Sequence, residues 1–494
     1  MIYQYATYRD LIDHAYDIDK KGFEVRNETL HFQGMDLMQL IKDHGSPLKI
    51  SYLPKIAAQI QKANRIFGDA LVNHQYTGKY VYSYCTKSSH FHFVLDEVLK
   101  QGAQLEISSA YDIQIIKALW AKKKITPDLM VICNGFKSTQ YLTDIVALWH
   151  EGFRNMIVVI DNEHELVELE GMLAGAKTPM ASDAAMTSDA ATTPDTPVSD
   201  SIKIPLKIGI RIATEEEPSS DMYTSRLGIS AKHVKKIFKQ RIVDNPTFDL
   251  VMIHFFMNSK IKDSAYYRSE LSRLVEVYAD MRQLTDSIQY LDIGGGFPIF
   301  HSLDMEYDYG YMADQIVWTI QHICDAHDVP SPDIVTEFGS FTVGESGAVL
   351  YKVIGKKQQN DKEMWYFVNN SFITTLPDTW GIGQKFIVLP LNLWGNQHVN
   401  VNLGGITCDS DDYYNSDDKG DALILPTVGD DEALYIGIFH TGAYQESIGG
   451  FGGIQHCLIP APKHLVIDKK DDQLVVNEFS PEQDAQGMLK ILGF

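Results

Sequence analysis

The sequence predicts an α/β protein, a (β/α)₈ TIM-like barrel followed by an all-β domain that also takes in strands from the chain start. Three observations carry this. From about residue 75, eight short β-rich runs alternate with amphipathic helical stretches. After residue 345 the pattern turns to β-rich, turn-punctuated runs with little helical periodicity. A segment near the start, "GFEVRNETLHFQG", reads as strands with no barrel unit around it. Regular βα alternation favours a parallel sheet with helices outside, and eight units favour closure over an open doubly wound sheet.

The runs come in order as "YVYSYCT", "AQLEIS", "DLMVICNG", "NMIVVID", "PLKIGIRI", "FDLVMIHFFM", "IQYLDIGGG" and "DIVTEFGS". Each is short and apolar between turn signals, as expected of strands buried on both faces. "AYDIQIIKALWAKKK", "YLTDIVALWHEG" and "SELSRLVEVYADMRQL" lie between them with apolar residues at helical spacing. Residues 174–201, rich in Ala, Ser, Thr, Asp and Pro, cannot bury enough surface to offset their ordering entropy and read as a mobile insertion. "GAVLYKVIGKKQ", "EMWYFVNNS", "KFIVLPLNLW", "DALILPTV" and "LYIGIFH" supply the second domain. The expected division is residues 1–48 as an N-terminal contribution to the β-domain, 49–345 as the barrel and 346–494 as the β-domain.

A chain of 494 residues with a formal net charge of −22 is a poor partner for nucleic acid or an anionic membrane and a better one for small cations. Five cysteines without a CxxC pair argue against a disulfide framework and a zinc site, and suggest a reducing compartment. With no signal-peptide pattern and no membrane-length apolar run, the expectation is a cytoplasmic protein.

Barrel chemistry gathers at the C-terminal ends of the strands. There the sequence places Lys87 after the first run, Arg211 at the end of the fifth, His254 late in the sixth, Gly294, Gly295 and Gly296 after the seventh, and Glu337 in the eighth. Singly, each has an ordinary explanation: a solvated lysine, a turn, a capping acid. Together they are the parts pyridoxal phosphate needs. A lysine forms the Schiff base, glycine amides close on the phosphate, and an acid keeps the pyridine nitrogen protonated.

The motifs "VICNGFK", "LDIGGG", "VNNSFITTLPDTW", "ITCDSDD" and "GAYQE", in this order, resemble those of the fold-type III pyridoxal-phosphate decarboxylases, most closely the biosynthetic arginine decarboxylase branch. The resemblance runs from about residue 25 to 460, and "IRIATEEEPSS" is similar to ornithine decarboxylases as well. It implies an alanine racemase-like barrel, pyridoxal 5'-phosphate as cofactor, and a homodimer with active sites shared across its interface. Lys87 is then the Schiff-base lysine, Gly294–Gly296 and Tyr444 meet the phosphate with Ser259 near it, Glu337 meets the pyridine nitrogen, and Arg211 lies on the phenolic side. His254 joins the cofactor set. The partner subunit contributes Cys408 and Asp409. A thiol titrating near neutrality returns a proton to Cα, and the carboxylate holds the distal cation, with Asp411 or Asp412 as a second acceptor.

The chain departs from the family's pattern at three positions. Phe256 stands for a stacking histidine, Asn258 for a glycine, and Ser340 for a phosphate-binding arginine. Phenyl can stack but not hydrogen-bond, and losing the arginine weakens the grip on phosphate unless the glycine-rich "IGGFGGIQH" compensates. The expected reaction is decarboxylation of L-arginine to agmatine and CO₂, feeding polyamine synthesis. The alternatives are another basic substrate (ornithine, lysine, diaminopimelate or a carboxy-polyamine) and a non-catalytic regulatory homologue. Glu337 argues against a racemase, which works with a poorly protonated pyridine. "CDSDDYYNSDD" lacks the central glycine and terminal glutamate of an EF-hand loop, so no metal is expected there.

Overall fold

The structure, a computed structural model, describes residues 6–175, 204–214, 225–257, 264–415 and 423–494. The segment read as a mobile insertion therefore lies almost wholly outside the described residues, between the helix Glu163–Gly175 and the strand Leu206–Arg211.

Eight parallel strands close into a barrel: Tyr80–Cys85, Gln104–Ile107, Val131–Cys133, Met156–Ile160, Leu206–Arg211, Phe248–His254, Tyr290–Asp292 and Asp333–Phe338. Closure is made by the last strand on the first, with Glu337 beside Ser83 and Phe338 beside Tyr84. Each of the eight apolar runs supplies one strand. Alternation sorts their side chains into two cores. Ile157 and Val159 join Met130, Ile132, Val251, Met252 and Val335 inside the barrel. Met156, Val158 and Ile160 join the larger core between strands and helices. A strand apolar on both faces is what two such cores demand.

Helices start where short polar side chains cap them. Ser109 accepts from the Asp112 amide at the head of Ala110–Ala121, and Ser138 from the Tyr141 amide at the head of Thr139–His150. Each satisfies a backbone donor that the first helical turn leaves without a partner.

The second domain centres on the strand Gly347–Gln358, which pairs with Met364–Val368, Tyr435–Phe439 and Leu48–Tyr52. The early strand Leu48–Tyr52 also runs parallel to Lys463–Lys470 and so joins the two ends of the chain. It straddles the expected junction at 48/49, and its hydrogen bonds carry the β-domain to Tyr52. "GFEVRNETLHFQG" forms a separate three-stranded sheet, Phe23–Arg26, Thr29–Phe32 and Met35–Asp36. That sheet packs on the domain core, with the Phe23 and Phe439 rings 4.8 Å apart edge to face. The domain also holds short helices that the sequence reading passed over, among them Pro377–Ile382 and Gln445–Gly449. Both border the barrel mouth.

Candidate active site

Lys87 sits on the 3₁₀ turn Thr86–Ser88, immediately beyond the first barrel strand. The turn is pinned from several sides. Ser88 Oγ donates to the Cys85 carbonyl (2.7 Å), Thr86 Oγ1 to the Glu106 carbonyl (3.1 Å), and the Tyr444 amide to the Ser88 carbonyl (2.8 Å). Lys87 Nζ lies 3.4 and 3.3 Å from the two carboxylate oxygens of Glu106, which is fully buried at the end of the second strand. Desolvation is the largest single influence and works against the ammonium, but Glu106 together with Cys85, Glu337 and Tyr444 outweighs it and the Lys87 pKa is held above the usual lysine value.

Glu337 forms part of the cavity floor. Asn134 Nδ2 donates to its Oε1 (2.6 Å), and His254 Nε2 donates to its Oε2 (3.2 Å). Burial alone would raise this carboxyl; the His254 contact and Lys87 oppose it and lower its pKa to about 2. Burial and the neighbouring Glu337 push Asp292 far the other way. One proton therefore stays on Asp292 while Glu337 is ionised. Burial lowers His254, with Glu337 opposing the shift. His254, Asp292 and Glu337 bring ligand-type atoms within 4.8 Å of one another, the geometry of a cation site as well. Asn134 and the Gly294 amide (2.8 Å to Asp292 Oδ1) already donate into it.

A cavity of about 280 Å³ opens over this floor, and Lys87, Phe256, Gly295, Gly296, Glu337, Ser340, Asp378 and Tyr444 are among its lining residues. Backbone forms one wall. Gly294 and Gly296 have φ of +67° and +116°, where side chains are disfavoured. A Cβ on Gly295 would lie 2.4 Å from the Glu337 carbonyl, and one on Gly339 3.2 Å from the Tyr444 hydroxyl. Tyr444 itself has a positive φ of 67°, and burial raises its hydroxyl to about 12, so it stays a proton-bearing donor.

The barrel thus brings Lys87, Gly295, Gly296 and Glu337 to one mouth, with Gly294 next in the chain, and the second domain adds Tyr444. His254 reaches it only through Glu337, and Arg211 is not among the lining residues. The Arg211 guanidinium lies 5.9 Å from the Phe256 ring, its Nε buried without a partner among the described residues. Ser259 and Asn258 lie outside the described residues. Cys408, Asp409 and Asp411 are not among the cavity lining either; they sit on a loop with Cys408 exposed. Cys408 Sγ is 3.5 Å from Cys457 Sγ, a contact that raises its pKa rather than bringing it toward neutrality. Asp412 is not available to a substrate. It is buried and accepts from the Phe372 amide (2.7 Å), Ser371 Oγ (3.1 Å) and Thr407 Oγ1 (2.7 Å), which anchors the loop.

Sequence reading missed Glu106, Asn134, Asp292 and Asp378. The available signal was an acid inside an apolar run, in "QLEI" and in "YLDI". Asp378, in the first turn of Pro377–Ile382, is buried and accepts from Gln445 Nε2 (3.0 Å).

A lysine amine, a side-chain-free backbone cradle and an ionised floor carboxylate fit pyridoxal phosphate, with Lys87 to tether it, Gly294–Gly296, Ser340 and Tyr444 to take its phosphate, and Glu337 to face its ring nitrogen. The fold and the site thus define a cofactor-binding barrel enzyme. The family model described as pyridoxal-dependent decarboxylase, pyridoxal binding domain, matches residues 56–344, and the chain belongs to that family. Among curated relatives, the biosynthetic arginine decarboxylase of Prochlorococcus marinus (strain AS9601) is 22% identical over 613 residues, covering 98% of this chain and 89% of the relative. A biosynthetic arginine decarboxylase structure from Campylobacter jejuni superposes with a TM-score of 0.76 at 18% identity, covering 97% of this chain and 90% of the other. A diaminopimelate decarboxylase structure from M. jannaschi superposes with a TM-score of 0.75 at 14% identity, covering 96% of this chain and 98% of the other. At such identities the structural likenesses speak for the fold alone.

Proposed function

We propose that the chain decarboxylates L-arginine to agmatine and CO₂, working in the cytoplasm as a homodimer and feeding polyamine synthesis. The carrying observation is the charge of the cavity: Glu337 and Asp378 line it, and Lys87 is the only lysine or arginine among its described lining residues. A cationic side chain is the ligand such a cavity favours. The curated arginine decarboxylase relatives support arginine over other basic amino acids.

Pyridoxal phosphate, when bound, supplies the sink for the electrons freed as the Cα–carboxylate bond breaks. Everything else falls to the chain. Lys87 holds the cofactor and yields to the substrate amine; Glu337, ionised, accepts the ring-nitrogen proton's hydrogen bond. Asp378 takes the distal cation. Cys408 of one subunit then returns a proton to Cα in the other subunit's cavity, with Asp409 beside it.

The dimer is supported by exposed apolar side chains on and near the two short helices that border the mouth. Ile382 is 70% exposed, Trp380 59%, Ile448 59% and Phe451 55%, too many together for a surface left in water. Among the described residues no helix is long and apolar enough to cross a membrane.

The direct test is an amine-product assay on the holoenzyme with arginine, ornithine, lysine and diaminopimelate. Agmatine as the main product is expected, and its absence overturns the substrate assignment. Mixing inactive Lys87→Ala and Cys408→Ala subunits should recover about a quarter of wild-type activity if sites are shared, since half the random dimers carry one intact site. No recovery overturns sharing.

A further inference from the structure

Cys408 and Cys457 are 49 positions apart in sequence, yet their sulfurs lie 3.5 Å apart and both are exposed. The same two loops meet a second time, where His456 Nε2 lies 3.5 Å from Asp409 Oδ2. The other three cysteines, Cys85, Cys133 and Cys324, are buried. Thiol chemistry at the surface of the described chain is therefore confined to this one pair.

We propose that Cys408 and Cys457 are a reversible thiol–disulfide pair, a modification site whose oxidation withdraws Cys408 from the reaction. The proposal rests on the reading of Cys408 as proton donor. Bond formation requires the sulfurs to close to about 2.05 Å. The loop bearing Cys457 can supply that movement. It follows Gly449, Gly450, Gly452 and Gly453, and a Cβ added at any of the last three would meet nothing within 4 Å. Cys457 itself has a φ of 55°, in the left-handed region, so the backbone there is not in its preferred basin.

The oxidant is a low-molecular-weight disulfide. One protein thiolate attacks it, its S–S bond breaks and one small thiol leaves; the second protein sulfur then displaces the other small thiol. A bond forms between Cys408 and Cys457, two electrons pass to the small disulfide, and two protons leave with the two small thiols. Cys408 then has no proton to give, and a dithiol reductant restores it.

The experiment uses reduced holoenzyme equilibrated across a series of glutathione disulfide-to-glutathione ratios. Activity is measured alongside the fraction of Cys408–Cys457 cross-linked peptide in a non-reducing digest. We expect activity to fall more than tenfold in step with that peptide and to return with dithiothreitol. Cys457→Ser should keep its activity and need a ratio at least about tenfold higher for the same loss, because it lacks the intramolecular partner and its effective concentration. No cross-linked peptide at any ratio, or identical inactivation of wild type and Cys457→Ser, overturns the proposal. Cross-linking without loss of activity overturns the switch. Cys408→Ala separates the two readings: full activity in that variant places the failure in the proton-donor role.

Discussion

Glu337 and Cys408 stand in opposite surroundings. Glu337 ends a barrel strand, is buried, and is held by Asn134, His254 and the protonated Asp292. Cys408 is exposed on a loop whose anchor is Asp412, and its own contact is another thiol. The first region is preorganised by its own subunit, with each charge assigned before a substrate arrives. The second has its thiol exposed and, among the described residues, outside the cavity lining of its own subunit. On the proposed shared-site reading, the contrast is between a half-site built by the fold and a half-site built by assembly.

Variants can break or sharpen that contrast. Lys87→Ala should abolish the tether, with kcat down by ~10⁴-fold or more and no borohydride-sensitive visible absorption. Cys408→Ala should cut kcat by ~10²–10⁴-fold, the range of a general acid, and leave that absorption intact. Loss of the absorption in Cys408→Ala would make the loop a cofactor element and erase the contrast. Asp378→Asn should raise the KM for arginine by about 10- to 100-fold with a smaller change in kcat, as expected for loss of a charge-assisted hydrogen bond of ~1.5–3 kcal/mol. An unchanged KM would give the cation to the loop acids instead.

The smallest effect concerns His464, packed among Phe91, Phe93 and Phe479 with its Nε2 2.9 Å from Ser51 Oγ. Burial, with Lys49 nearby, lowers its pKa to about 3. Below pH 6.5 the unfolded chain takes up a proton that the folded chain refuses, so stability falls as pH falls. Between pH 6.5 and 5 the loss is about 2 kcal/mol. Thermal unfolding across that range should show it in wild type and lose it in His464→Gln; equal slopes would place the ring's proton elsewhere.

The barrel was legible because parallel strands buried on both faces leave continuous apolar runs, and each of the eight runs became a strand. Lys87, Gly294–Gly296 and Glu337 were legible because they terminate such runs. Glu106, Asn134 and Asp292 were not, since a buried polar group declares its purpose only through partners that folding brings from other strands. Asp378 was hidden for another reason: it comes from the second domain, on a helix of only six residues. Cys457 offered no signal, because nothing in a stretch 49 residues downstream marks it as a neighbour of Cys408.

The hydrogen bond from the Tyr444 amide to the Ser88 carbonyl has a mechanical consequence. It ties the turn carrying Lys87 to the opposite domain, and Gly442 is wedged beside it so closely that a Cβ would lie 2.1 Å from the Val343 carbonyl. Parting the two domains would cost this hydrogen bond and leave the lysine turn held by its bonds to Cys85 and Glu106. The cavity at this turn is bordered by Asp378 and Ile382 of the helix Pro377–Ile382, so the two domains that hold the lysine turn in place also wall the mouth it serves.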